Sequence, residues 1–164
     1  MKVFFDPPPL MISELNRLFA HLTWADLRVL EYLRRLEGAE AGELRLFSHV
    51  LGSERLWLAR LRGGDTSALE GWPGFSLTEC ASVLEENTRG YASFLESLDE
   101  ERLEHPVEYQ TTDGTDYRTR VGDILLHVTL HASHHRGQIA RLARDAGREP
   151  VNVDYITFAR EGFG

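Results

Sequence analysis

Apolar residues recur every three or four positions through four long stretches of this chain, and that period dictates helices. In the first stretch, about Leu10 to Leu36, the repeat runs Leu15, Leu18, Phe19, Leu22, Val29, Leu30, Leu33 and Leu36, and Gly38 is expected to end it. Side chains spaced this way share one helix face. A second helix is expected from about Ala41 to Arg62, stopped by Gly63-Gly64. Ser76-Leu77-Thr78-Glu79 has the spacing of a capping box and opens a third helix, to about Leu98. A fourth runs from about Val121 to Ala146, with Gly147 beyond its end. Four amphipathic helices in 164 residues must bury their apolar faces on one another. The expected architecture is therefore all-α: one domain over residues 1–164, built as a four-helix bundle.

The remaining segments break the helical period. Three prolines make Met1–Pro9 an extended lead-in. Residues 107–119 alternate around Asp113-Gly114, which predicts a β-hairpin just before the last long helix. After Pro150, Asp154 is placed to cap a short final helix to about Arg160.

Composition removes several function classes. A net charge of −8 works against binding nucleic acid, which rests on cation–phosphate contacts. No apolar run approaches the ~18–20 residues of a membrane span, and the N-terminus lacks the features of a secretory signal. A cytoplasmic location without a membrane partner is expected. The single cysteine, Cys80, excludes an internal disulfide and any Cys-rich zinc module, and reads as a small buried filler. Neither G-x-G-x-x-G nor a P-loop is present.

The chemistry is concentrated in the fourth helix, where His127, His131, His134 and His135 are four of the seven histidines. At ~100° per residue from Ile124, the apolar set centres near ~40°. His135 falls at ~20° and His131 at ~340°, both inward, whereas His127 at ~300° is marginal and His134 at ~280° faces out. Two inward imidazoles one turn apart need a shared partner, because a buried unpaired polar group is costly. A metal ion supplies one; hydrogen-bonded core histidines are the alternative. One helix gives two ligands, and the third must come from elsewhere. His21 and His49 are the candidates, and periodicity does not choose between them; His105, in a loop before Pro106, is the poorest. Gly52 and Ser53 beside His49 are expected to let the last long helix approach closely. Glu54 reads as a solvated helix-face residue and Arg136, at ~120°, as a surface or dimer residue. Gln138 is placed to support a ligand imidazole. Gly137 is expected to permit close packing. Trp24, Trp57, Trp72, Phe19, Phe47 and Tyr91 are expected mostly in the core.

The run Gly122-Asp-Ile-Leu-Leu-His127-Val-x-x-His131-x-x-His134-His135-Arg136-Gly137-Gln138-Ile139 resembles the signature of the DinB (damage-inducible) family. Trp24-Ala25-Asp26 is similar to that family's Trp-Ala-Asn, with Asp26 in place of the amide. Phe47-Ser-His49-Val-Leu-Gly-Ser-Glu54-Arg55-Leu-Trp57-Leu resembles its second-helix pattern, and Pro150-x-x-x-Asp154-Tyr155-Ile156 its C-terminal signature. The resemblance covers nearly the whole chain, in order. It implies an up-down-down-up bundle with a long crossover and a divalent metal held by three histidines. Matched by position these are His49, His131 and His135. Zinc or nickel suits nitrogen ligands, as do iron and cobalt. A homodimer is also implied. So is chemistry on a metal-activated thiol or water, above all thiol-dependent S-transfer with a low-molecular-weight thiol. A metal-dependent hydrolase and a non-catalytic metal or small-ligand binding protein of stress response are the alternatives.

Overall fold

The computed structural model describes residues 10–36, 41–111 and 113–162. The expected lead-in at Met1–Pro9 and the stop at Gly38 lie outside them. α1 (Ile12–Arg35) buries Leu15, Phe19, Leu22, Val29, Leu30 and Leu33 along one face. α2 (Ala41–Leu61) ends where Gly63 turns to φ 67° and the Gly64 N–H reaches back to the Ala59 carbonyl at 2.9 Å. α3 (Leu77–Glu96) opens with the expected reciprocal pair. Ser76 Oγ accepts from the Glu79 N–H at 3.3 Å, and Glu79 Oε2 accepts from the Ser76 N–H at 2.8 Å. Ser76→Ala should lower the unfolding free energy by about 1 kcal/mol in urea titrations, with an unchanged denaturant slope.

A one-turn helix, α4 (Glu100–Glu104), was not read from the sequence. Five residues are too few to show a period, although Asp99 signals the start by accepting from the Arg102 N–H at 2.8 Å. β1 (Pro106–Gln110) pairs antiparallel with β2 (Asp116–Arg120), Tyr109 opposite Tyr117. α5 (Val121–Asp145) follows directly and ends before Gly147, at φ 70°. α6 (Tyr155–Arg160) begins after Asp154, but the Asp154 side chain makes no capping bond. Asn152 braces the approach to the helix without capping it: its Oδ1 accepts from the Asp154 N–H and the Thr157 hydroxyl, each at 3.1 Å.

Contacts along the helices give their directions. Phe19 of α1 meets Tyr91 of α3, while Val29 and Leu33 cluster with Cys80 and Val83, so α1 and α3 are antiparallel. Leu15 clusters with Ile124 and Val29 with Ile139, so α1 and α5 run together. α2 and α3 also run together, and the 62–76 connection has to travel back along α2. It does: the Phe75 N–H donates to Ser48 Oγ at 2.7 Å. A Cβ on Gly52 would stand 2.7 Å from the Pro73 ring, so Gly52 makes room for this returning segment and not for α5. The bundle is thus up-down-down-up. Gly137 departs from expectation as well, since open space surrounds its missing Cβ.

The apolar core is divided. One cluster holds Leu15, Phe19, Leu22, Leu58, Tyr91, Leu125 and Val128; the other holds Val29, Leu33, Phe47, Leu51, Cys80, Leu84 and Ile139. Buried polar residues from all four long helices are linked to one another: Asp26 from α1, Glu54 from α2, Asn87 from α3 and Arg136 from α5. Arg136 Nη1 donates to Asp26 Oδ1 at 2.8 Å, with both side chains at most 2% exposed. Asn87 Nδ2 donates to the Leu51 carbonyl at 3.0 Å and to Glu54 Oε2 at 3.1 Å. The expectations of a surface Arg136 and a solvated Glu54 were wrong. Arg136 has a carboxylate to meet inside, which the helix wheel of α5 alone could not show.

Candidate metal centre

Antiparallel packing of α2 on α5 sets His49 against the adjacent-turn pair His131 and His135. His49 is buried and the other two are half-buried. One ring nitrogen of each lies within 4.8 Å of the others, so the three could hold a metal ion. His135 Nε2 is 3.1 Å from His49 Nε2 and 3.1 Å from His131 Nε2.

The tautomers follow from the opposite ring nitrogens. His49 Nδ1 lies 2.5 Å from the Gly71 carbonyl, which can only accept, and 3.3 Å from Ser53 Oγ. His135 Nδ1 lies 2.8 Å from Gln138 Oε1, again an acceptor. Both Nδ1 atoms therefore carry the proton, and both Nε2 atoms are bare. The 3.1 Å contact between His49 and His135 is then lone pair against lone pair, which a metal ion shared by the two nitrogens turns into attraction. Nitrogens bound at ~2.0–2.1 Å to one tetrahedral ion sit about 3.3 Å apart, close to what is found.

Electrostatics favour the neutral form of His131 and His49. Burial, and then the neighbouring imidazoles led by His135, lower the His131 pKa to about 4. His49 is also lowered, by burial first and by His135, against the Gly71 hydrogen bond. Neutral imidazole is the form that binds a metal.

The surroundings come from α2, the 62–76 connection, the hairpin and α5. Trp72 stacks on His49 with ring centroids 3.7 Å apart and planes at 7°. It is 50% exposed, so it covers the site from outside and is not a core residue as expected. The Gly71 carbonyl and Trp72 were missed by sequence reasoning; Gly71-Trp72-Pro73-Gly74 reads only as a turn. Trp57 lies edge-on to His127, whose ring is 5.5 Å from that of His131, and Tyr109 of β1 packs on Trp57. His134 is exposed. His21 is remote from the triad: its Nε2 lies 2.9 Å from the Val153 carbonyl, and its ring packs on Tyr155 and Phe158. His105 is exposed at the end of α4.

The model of the DinB family matches residues 11–162. The chain belongs to the DinB family. It is 28% identical over 117 residues to protein DinB of Bacillus subtilis (strain 168), an alignment covering 71% of this chain and 63% of that protein. The chain thus spans under two thirds of that DinB relative's length. Its fold is similar to the crystal structure of a DinB-like protein from Bacillus cereus ATCC 10987, with a TM-score of 0.67 and 17% identity, covering 90% of this chain and all of that one.

Proposed function

We propose that His49, His131 and His135 bind one divalent metal through Nε2, and that the protein is a metal-dependent enzyme of thiol-dependent S-transfer or closely related chemistry. The observation that carries the metal is the pair of bare nitrogens on His49 and His135, each fixed by an Nδ1–H donated to a carbonyl oxygen. Zinc and nickel are the leading ions, with iron and cobalt also matching the donor set. Such an ion supplies Lewis-acid character, lowering the pKa of a thiol or water at its free positions. Three protein ligands leave at least one position free, as catalytic sites do and closed structural sites do not.

The protein's own groups orient and enclose. Gly71 and Gln138 hold two imidazoles in one tautomer and one rotation. Trp72 limits water access over His49. The wall of Trp57, Tyr109 and His127 offers aromatic surface to a small organic substrate. Gln138→Ala should weaken metal binding by about 10–100-fold in competition with a chromogenic chelator, while Gln138→Glu, which keeps an acceptor, should retain most of it.

The function is tested with untagged protein loaded with zinc or nickel and assayed with small thiols and electrophiles. Thiol-dependent turnover that disappears on chelation and returns with metal is expected. Turnover of esters or amides without thiol would replace this reading by hydrolysis. Stoichiometric metal with no turnover across a broad panel would replace it by a binding role.

A further inference from the structure

The buried layer of Asp26, Glu54, Asn87 and Arg136 does not balance its charge if every group is ionised in the ordinary way. Asp26, Glu54 and Arg136 are 0%, 3% and 2% exposed. Two carboxylates against one guanidinium would leave a surplus negative charge in an apolar core. An unpaired buried charge is costly enough that the group takes up a proton instead. The other titratable groups that face the carboxyls, His21 from α1 and Tyr91 from α3, bring no positive charge. Burial lowers the His21 pKa, so its ring is neutral at neutral pH. Burial pushes the Tyr91 phenol up, and its hydroxyl donates to the Glu54 backbone carbonyl at 2.8 Å. Arg136 from α5 is the one cation in the layer among the described residues.

The hydrogen bonds show where the proton belongs. Asp26 Oδ1 accepts from Arg136 Nη1 at 2.8 Å, and Glu54 Oε2 accepts from Asn87 Nδ2 at 3.1 Å. Asp26 Oδ2 and Glu54 Oε1 are left, both enclosed and with no donor from any other described residue. The two carboxyl groups lie within hydrogen-bonding reach of each other. A pair of carboxylates has no hydrogen to share. One protonated and one ionised carboxyl make a charge-assisted bond. A single proton therefore supplies both the missing donor and the missing charge. It belongs on Glu54, because the guanidinium beside Asp26 favours that carboxylate, whereas Glu54 is met by the neutral amide of Asn87.

We propose that Glu54 keeps a proton at neutral pH and donates it to Asp26, so that a buried acid latches α1 to α2 and the latch weakens as pH rises. Burial first, and then the Asp26 charge, push Glu54 well above the usual carboxylate range. In the unfolded chain it returns to a value of about 4.3. The folded value is the higher, so unfolding releases a proton. The stabilisation is complete below the unfolded value and is lost as pH rises through the folded one. Between the two, this group alone raises the unfolding constant about tenfold per pH unit. Once the proton leaves, two carboxylates repel across the α1–α2 contact with one guanidinium to hold them. Carboxylates that are salt-bridged in a fold act in the opposite direction and fail in acid.

Two isosteric variants test this, because each puts an N–H where the proton is placed and removes one negative charge. Glu54→Gln can donate to Asp26 and still accept from Asn87. Asp26→Asn can donate to Glu54 and still accept from Arg136. Urea unfolding of the full chain, with a chelator present throughout, is followed for the parent and both variants between about pH 6 and 8. Dividing parent by variant at each pH cancels the groups they share, including the histidines and the Cys80 thiol, which burial pushes up to about 12. The ratio of unfolding constants should rise about tenfold from about pH 6 to 7 against either variant. Carboxyl-carbon NMR of the parent reads the proton directly and does not depend on how the variants fold. Glu54 should show the protonated shift at neutral pH and Asp26 the ionised one. A ratio flat with pH, a rise against one variant only, or two ionised carboxyls at neutral pH would each overturn the proposal.

Discussion

Replacing Arg136 by Met should destabilise the protein by about 3–5 kcal/mol, the range for stripping one partner from a buried ion pair. The side chain is 2% exposed and its Nη1–H donates to a carboxylate that is itself fully enclosed. Without it Asp26 and Glu54 are two carboxyls in an apolar core with no cation beside them. Burial already pushes Asp26 above the usual carboxylate range against the pull of Arg136, and burial and then the Asp26 charge push Glu54 well above it. Guanidinium denaturation at neutral pH measures the loss. A change under about 1 kcal/mol would mean that the pair behaves as a surface salt bridge and that the layer is not dry. The contrast with Asp26→Leu/Arg136→Met is informative. Replacing both partners by apolar groups removes the charge and its desolvation together, so the double variant should recover much of the stability lost by the single one.

His131→Ala should abolish stoichiometric metal binding. Supporting residues around a metal site are worth about 10–100-fold in affinity, so removal of a ligand should cost more than 100-fold. Protein purified without a histidine tag, equilibrated with zinc or nickel, dialysed and analysed for metal gives the answer. Circular dichroism should show the helices unchanged, because His131 is half-buried and leaves no core void. Metal content equal to the parent in this variant would remove the triad as the site, and with it the proposed chemistry.

The helices were legible because their signals are local. The apolar repeat of α1, the Gly63-Gly64 stop, the Ser76/Glu79 box and the Gly147 end each sit within a few residues of what they control. The inward turn of His131 and His135 was legible for the same reason. Meetings between distant segments were not. Arg136 reads as a surface residue until Asp26, 110 positions earlier, is set against it. Glu54 reads as solvated until α1 and α3 close over it. Trp72 reads as core until the connection that carries it is seen to lie along α2. For Arg136 and Glu54 one helix wheel omits neighbours that only the assembled bundle provides, and Trp72 lies on no helix at all.

Two parallel neighbours in a bundle oblige the chain to cross the whole length of the fold between them, and here that obligatory return has become part of the site. The Gly71 carbonyl, the Trp72 ring and the Pro73 ring over Gly52 are all delivered by it. The connection therefore has two regimes of tolerance to change. From Asp65 to Leu69 it is exposed or half-exposed, and inserted residues there lengthen a surface excursion at small entropic cost. From Gly71 to Phe75 a single inserted residue would shift the register of carbonyl, indole and proline together. Variation in this protein's lineage, and any grafting of the domain, should accumulate in the first half and spare the second.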